Sequence, residues 1–355
     1  MIKKTITLIL LLLTVVSFTQ IKGNIKDKDG NPLSFVSVYL ENTLTGTTTN
    51  DNGYYELNLE KAGDYVIVFQ YLGYKTQKKN AKITAFPFIL DAVLEEEQVQ
   101  LDEIKIAAGE NLSLAIIRNA IASKGKNTDK FARYTAKFYS RGLFRVKDAP
   151  EKILGRSLSD LGGGLDSTRS GIIYLSETVS EIAFQKRPRY FKEKIIASKV
   201  SGSDNGISFN RAEDSNFTFY DNVVDIAENK LISPIANGAF SYYRYQLEGT
   251  FYDKDGRLIN KIKVTPKRDG DRIFKGFIYI VEDEWAIYGV DLSTSGKQIG
   301  IPMVGNLRFK QDYNYSQSDK AWALISQSID FEFDFLGLNV EGRFSSAYSN
   351  YNFRP

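Results

Sequence analysis

Ile325-Ser326-Gln327-Ser328-Ile329-Asp330-Phe331-Glu332-Phe333-Asp334-Phe335 is the stretch that decides the fold class. Ile325, Ile329, Phe331, Phe333 and Phe335 fall on one side of an extended chain; Ser326, Ser328, Asp330, Glu332 and Asp334 fall on the other. Period two marks a β-strand, and an apolar side opposite a polar one predicts an antiparallel sheet with one wetted face. Working outward, the same pattern predicts long strands over 241–252, 258–265, 273–282, 285–292, 307–315, 322–335 and 338–348. They follow one another as hairpins, so residues 131–348 are expected to form one curved antiparallel sheet. Its apolar face needs a cover, because exposed apolar patches beyond roughly a few hundred Å² are uncommon on soluble monomers. Segment 111–124 is the candidate: Leu112, Ile116, Ile117, Ala120 and Ile121 recur at helical spacing, and Glu110 or Asn111 is placed to cap them. A second short helix is expected within 217–227. Gly162-Gly163-Gly164, inside a loop-like run over 154–171, is followed by no Gly-Lys-Ser/Thr and makes no phosphate site.

Upstream, residues 21–94 read as short strands between turns. Asp27-Lys28-Asp29-Gly30 and Asp51-Asn52-Gly53 combine the Asx side chains and glycine of tight turns. Val36, Val38 and Leu40 alternate, as do Tyr55, Leu57 and Leu59, then Tyr65, Ile67 and Phe69. Charge rises and alternation lapses from Glu95, which marks 96–110 as a linker. At the start of the chain, Lys3 and Lys4 precede an apolar run from Ile6 to Val16, and Ser17 and Thr19 suit a signal-peptidase site before Gln20. As a retained anchor, that run is shorter than the ~20 residues a bilayer span needs. The expected layout is therefore a signal peptide over 1–19, a β-sandwich over 20–95, a linker over 96–110, and a helix plus a large half-barrel-like antiparallel domain over 111–355.

The chain of 355 residues is 43% hydrophobic and 25% charged, an ordinary globular composition with material for two or three domains. Aromatics reach 13%, a proportion that favours sheet. A net charge of +3 is too small and dispersed for nucleic-acid binding. Histidine and cysteine are both absent. Without them there is no Ser-His-Asp or Cys-His catalysis, no His or Cys zinc site, no disulfide and no lipid-bearing cysteine.

Gly23, Asp27, Gly30-Asn31-Pro32-Leu33 and Val36-Ser37-Val38, then Thr47-Thr48-Thr49-Asn50-Asp51-Asn52-Gly53-Tyr54-Tyr55, Gly63-Asp64-Tyr65 and Tyr71-Leu72-Gly73-Tyr74, together resemble the carboxypeptidase-regulatory-like domain. The resemblance implies a seven-stranded prealbumin-like sandwich, the accessory part of carboxypeptidases and not their zinc-bearing part. Leu101-Asp102-Glu103-Ile104-Lys105-Ile106 resembles the short strand after this domain in TonB-dependent transporters; one added strand plus linker is the plainer reading. The order Thr265-Pro266-Lys267, Phe274, Ile278-Tyr279-Ile280, Trp285-Ala286-Ile287 and Val290-Asp291-Leu292 is locally similar to lipoprotein-carrier-like half-barrels. From Asn111 onward the chain also resembles the periplasmic region of an uncharacterised outer-membrane β-barrel family. Tyr174-Leu175-Ser176-Glu177-Thr178, Lys192-Glu193, Ser198-Lys199-Val200-Ser201-Gly202, Ile232-Ser233-Pro234 and Tyr242-Tyr243-Arg244-Tyr245 carry that likeness. It implies a membrane barrel following Pro355, so the chain is expected to be either a piece of a longer protein or a wholly periplasmic departure from that family.

Candidate chemistry is sparse. Asp27-Lys28-Asp29-Gly30 and Asp253-Lys254-Asp255-Gly256 invite a calcium reading, but an EF-type loop needs Gly sixth and Glu twelfth. Here Gly is fourth and the twelfth residues are Val38 and Val264, so both read as hairpin turns. Glu282-Asp283-Glu284 offers carboxylates for glycan chemistry, against the plainer reading of a solvated turn. Lys186-Arg187-Pro188-Arg189, with Lys192 to Lys199, is the densest basic patch; it either faces anionic lipid headgroups or is a solvated loop. No motif supports a Ser–Lys dyad. No catalytic, cofactor-binding or metal-ligating residue is predicted. The expected function is that of a non-enzymatic Gram-negative envelope protein, the periplasmic portion of an outer-membrane protein, acting in binding or assembly. Its partner would be the outer membrane or an outer-membrane protein complex, not nucleic acid. The alternatives are a periplasmic lipid or lipoprotein carrier with a half-barrel groove, and a glycan-active enzyme working through carboxylates alone.

Overall fold

The computed structural model describes residues 20–99, 111–153, 156–157, 165–202, 210–226, 229–268, 270–335 and 337–353. The expected signal at 1–19, the strand-like run at 101–106, most of the linker and the glycines at 162–164 lie outside the described residues.

The N-terminal sandwich comprises β1 (Gln20–Asp27), β2 (Ser37–Leu40), β3 (Gly46–Thr48), β4 (Tyr54–Asn58), β5 (Gly63–Gln70), β6 (Gln77–Ile83), β7 (Phe88–Ile89) and β8 (Ala92–Leu94). β7 and β8 keep one register against β1, with Ile21 opposite Phe88 and Ile25 opposite Ala92, so they are one strand interrupted at Leu90 and Asp91. Counted this way, the sandwich has the seven strands expected. The interruption needs Gly23, since a Cβ there would lie 2.1 Å from the carbonyl oxygen of Leu90. One sheet carries β4, β1 and β7/β8 and the other β3, β2, β5 and β6; Ile21, Ile25, Val38, Tyr55, Leu57, Ile67 and Phe69 are buried between them. Pairing continues past residue 95: Lys75 N–H donates to Glu95 O and Glu97 N–H to Gly73 O.

Helix α1 (Leu112–Asp129) begins where Asn111 Oδ1 accepts the Ser113 N–H at 3.1 Å, and it buries Ile116, Ile117 and Ala120. The strands that follow are β9 (Arg133–Lys147), β10 (Lys152–Ile153), β11 (Arg156–Ser157), β12 (Gly171–Gln185), β13 (Tyr190–Gly202), β14 (Val223–Ile226) and β15 (Asn229–Ile232). The meander is β16 (Tyr243–Tyr252), β17 (Leu258–Pro266), β18 (Lys275–Val281), β19 (Ile287–Ser295), β20 (Val304–Ser316), β21 (Ala321–Phe335) and β22 (Leu338–Asn352). Ten of these form one antiparallel sheet in the order β13-β12-β9-β22-β21-β20-β19-β18-β17-β16; β10–β11 and β14–β15 are separate hairpins. The helix expected within 217–227 is not there: a turn leads into β14. Val223, Val224 and Ile226 are β-branched and suit extended chain, and Val224 and Ile226, two apart on β14, are both buried.

Two further expectations need correction, both on β21. The face read as wetted is covered. Ser326 and Ser328 are buried under the sandwich, where Ser37 Oγ donates to Ser326 Oγ at 3.1 Å and Tyr39 Oη to Asn314 Oδ1 at 3.3 Å. Only toward the strand end do Glu332 and Asp334 remain exposed. In addition, Ile325 does not share a face with Ile329. Tyr313 pairs with Leu324 and Asp312 with Ser326, which leaves Ile325 as the extra residue of a β-bulge. It packs with Tyr39, Leu44, Val68 and Ala323, while Ile329 joins the core on the helix side. The sheet is thus buried on both faces over β19–β21, with the sandwich on one side and helix-side structure on the other.

Candidate functional site

Cover on the helix side is uneven. α1 lies over β16, where Ser113 Oγ donates to Tyr245 O at 2.9 Å, and reaches the β18–β19 turn, where Asn127 Nδ2 donates to Glu284 O at 3.3 Å. The segment from Phe217 to Ala239 fills the next part, burying Phe219, Tyr220, Leu231 and Ile235 against β16–β20. Between the start of that segment and strands β9, β12, β20, β21 and β22, the cover parts. A cleft of about 370 Å³ opens there.

The sheet supplies Tyr134, Phe184, Tyr313, Trp322, Leu324, Tyr348 and Tyr351 to the cleft, the helix end supplies Thr128 and Phe131, and residues 216–221 form the opposite wall. The rings support one another: Tyr134 lies 5.2 Å from Phe184 and 5.3 Å from Tyr351, centroid to centroid. Four of the five tyrosine hydroxyls are used by the protein. Tyr351 Oη donates to Leu324 O at 2.7 Å, Tyr313 Oη to Gln311 Oε1 at 3.0 Å and Tyr348 Oη to Ser215 O at 3.3 Å; Tyr220 Oη accepts the Ile287 N–H at 2.7 Å. With those four polar ends satisfied, the rings present a mainly apolar surface. Burial raises the phenols of Tyr134, Tyr348 and Tyr351 above their ordinary range, so they stay neutral.

Charge gathers only at the mouth. Lys186, Arg187 and Arg189, three cations of the basic patch read from sequence, sit on the β12–β13 turn beside the cleft, facing Asp221. Desolvation pushes the Asp221 carboxyl up, while Lys186, Arg189 and Lys124 pull it down. The rest of that patch is elsewhere: Lys194 pairs with Glu181 at 3.3 Å along β13.

The other sequence candidates have structural roles. Asp27 Oδ1 accepts the N–H groups of Asp29 and Asn31, and Asp253 Oδ1 those of Asp255 and Arg257, so both carboxylates close turns. The Glu282-Asp283-Glu284 turn is tied down and not merely solvated. Glu282 Oε2 accepts from Asn260 Nδ2 at 2.6 Å, and Glu284 Oε2 from Trp322 Nε1 at 2.9 Å. A second concavity, of about 550 Å³, lies where the sandwich meets the sheet. Its charges largely serve one another: Arg343 holds Asp330 and Ser34, Arg308 holds Asp291 and Glu341 holds Lys147. The aromatic cleft was not readable beforehand. The bunching of Tyr348, Tyr351 and Phe353 was the one available signal, and nothing in it named Tyr134 or Phe184 as neighbours.

Residues 21–106 match the CarboxypepD_reg-like domain. No curated protein matches the chain. Among solved structures, the LolA superfamily protein NE2245 from Nitrosomonas europaea is 10% identical, with 68% of this chain and 94% of that one covered, at a TM-score of 0.20. A DUF1329 family protein from Desulfovibrio piger is 13% identical, with 67% and 93% covered, at a TM-score of 0.23. A chain of a type II cohesin–X-dockerin complex from Acetivibrio cellulolyticus is 18% identical over 21% of this chain, at a TM-score of 0.17, and this chain spans about half of its length, 52%. Scores this low carry no argument about function. Residues 116–351, about two thirds of the chain, match the family described as Family of unknown function (DUF5686), and the protein belongs to that family.

Proposed function

We propose that the protein is a non-enzymatic envelope protein that works by binding, and that the aromatic cleft holds the hydrocarbon chain of an amphiphile. One observation carries the reading: the helix-side cover parts at a cleft of about 370 Å³ walled mainly by aromatic rings, and the hydroxyls of Tyr220, Tyr313, Tyr348 and Tyr351 are bonded within the protein. That volume falls within the ~300–1,000 Å³ of small-molecule sites, which are mostly apolar with a few polar groups at the edge. The proposed location is the periplasmic face of a Gram-negative outer membrane. The secretory pattern of residues 1–19 and the carboxypeptidase-regulatory-like domain support it. On this reading the sandwich is a docking platform and the sheet domain is the binder.

Calorimetric titration with dodecyl maltoside below its micelle concentration tests the cleft. Saturable binding is expected, and Leu324→Trp, which fills the space, should remove it while unfolding stays cooperative. If the wild-type protein shows no saturable binding and purifies free of lipid, the cleft is a packing gap and the protein is a scaffold.

A further inference from the structure

We infer that the ligand of the cleft is an anionic lipid whose phosphate or carboxylate is held by the cations of the β12–β13 turn. The inference rests on the cleft reading above and names the class of molecule that enters. Lys186, Arg187 and Arg189 come from four consecutive positions at the mouth, and the turn that carries them is pinned. Lys186 N–H donates to Ala132 O at 2.7 Å, and Gln185 Nε2 to the carbonyl oxygens of Arg187 and Pro188 at 3.1 and 3.4 Å. Lys186 Nζ is partly engaged, by Thr128 Oγ1 at 3.0 Å and Asp129 at 3.8 Å. Arg187 and Arg189 are exposed and close no salt bridge among the described residues. Asp221 is the carboxylate on the opposite lip, and Lys186, Arg189 and Lys124 all act on it. Lys124 in turn donates to Asn222 Oδ1 at 2.6 Å.

Cations therefore outnumber carboxylates at the mouth, directly above walls made mainly of aromatic rings. Guanidinium forks match the oxygens of phosphate and carboxylate in pairs. An anionic head on a hydrocarbon chain meets both surfaces at once. A neutral head leaves the surplus charge unmatched, and a cationic head is repelled by it.

The test compares dodecyl phosphate, dodecyl maltoside and inorganic phosphate by calorimetry at low and high salt. Dodecyl phosphate should bind about tenfold more tightly than the maltoside at low salt, with the advantage shrinking as salt rises. Arg187→Gln with Arg189→Gln should bring the ratio of the two affinities close to one. Asp221→Asn should instead raise the affinity for dodecyl phosphate, an outcome a misfolded variant would not give. Equal affinity for the two amphiphiles in the wild-type protein overturns the headgroup assignment and leaves the apolar cleft standing. Inorganic phosphate binding as tightly as dodecyl phosphate also overturns it, because the chain would contribute nothing. Binding of neither amphiphile removes the assignment and the cleft reading together.

Discussion

Asp312 on β20 shows what burial beneath a second domain does to a single group. It is 4% exposed beneath the sandwich; its Oδ2 accepts from Ser326 Oγ at 3.3 Å, and its Oδ1 is buried without a hydrogen-bond partner. Burial pushes the carboxyl from the ordinary 3.8 up to about 7, against the pull of Lys310 and the Ser326 hydrogen bond and with Asp291 adding to the rise. The folded protein therefore keeps a proton that the unfolded chain releases near pH 4. Between those values the folded state binds more protons, so stability falls as pH rises and levels off above about 7. Urea unfolding at about pH 5 and about pH 8 should show a loss on the order of a few kcal/mol, and Asp312→Asn should remove most of it. Gly342 is a second sensitive position. A Cβ there would lie 2.0 Å from Phe331 Cζ, because the Phe331 ring lies over the glycine opposite it on β22. Gly342→Ala should cost about 1–3 kcal/mol by overpacking, read from the denaturation midpoint.

At the scale of elements, local pattern and observed structure agree where one force decides. α1 appears at its apolar stripe because its side chains need a wall, and each hairpin of the meander appears where alternation runs between turns. The disagreements have equally local causes. In 217–227 the β-branched Val223, Val224 and Ile226 favour extended chain over the expected helix. On β21 strict alternation placed Ile325 with Ile329, but one unpaired residue turns Ile325 to the sandwich. Ile325→Ala should then weaken a contact between domains, costing about 2–5 kcal/mol in global unfolding. If Ile325 faced the helix side, the same substitution would instead disturb the cleft and change amphiphile binding.

For the whole molecule, the expectation of two separable units meets a shared seam. Tyr39, Leu44 and Val68 of the sandwich are buried with Ala323 and Ile325 of the sheet. Around them, Gln70 Nε2 donates to Tyr313 O at 3.1 Å, Arg141 reaches Asp51 at 3.2 Å and Lys78 reaches Asp255 at 3.5 Å. With this seam, a protease site engineered between Lys105 and Ile106 should give a cut chain whose two pieces co-elute in gel filtration and separate only in denaturant. Separation in buffer would mean that the polar seam does not hold the domains.

The sequence by itself determined a small sandwich of short strands, the capped helix and the long antiparallel meander, because period, turn chemistry and capping act between residues close along the chain. It also excluded histidine and cysteine chemistry outright. Only the tertiary structure decided what lies against each face. Ser326 and Ser328 read as solvated because polar side chains usually meet water, yet both are buried, and Ser326 meets the Ser37 hydroxyl of a second domain. The cleft is likewise an arrangement of distant parts, with Phe131, Tyr134, Phe184, Trp322 and Tyr351 drawn from a helix end and four strands. Alternation tells that the two faces of a strand differ; it holds no record of which partner, side chain or solvent, each face will meet.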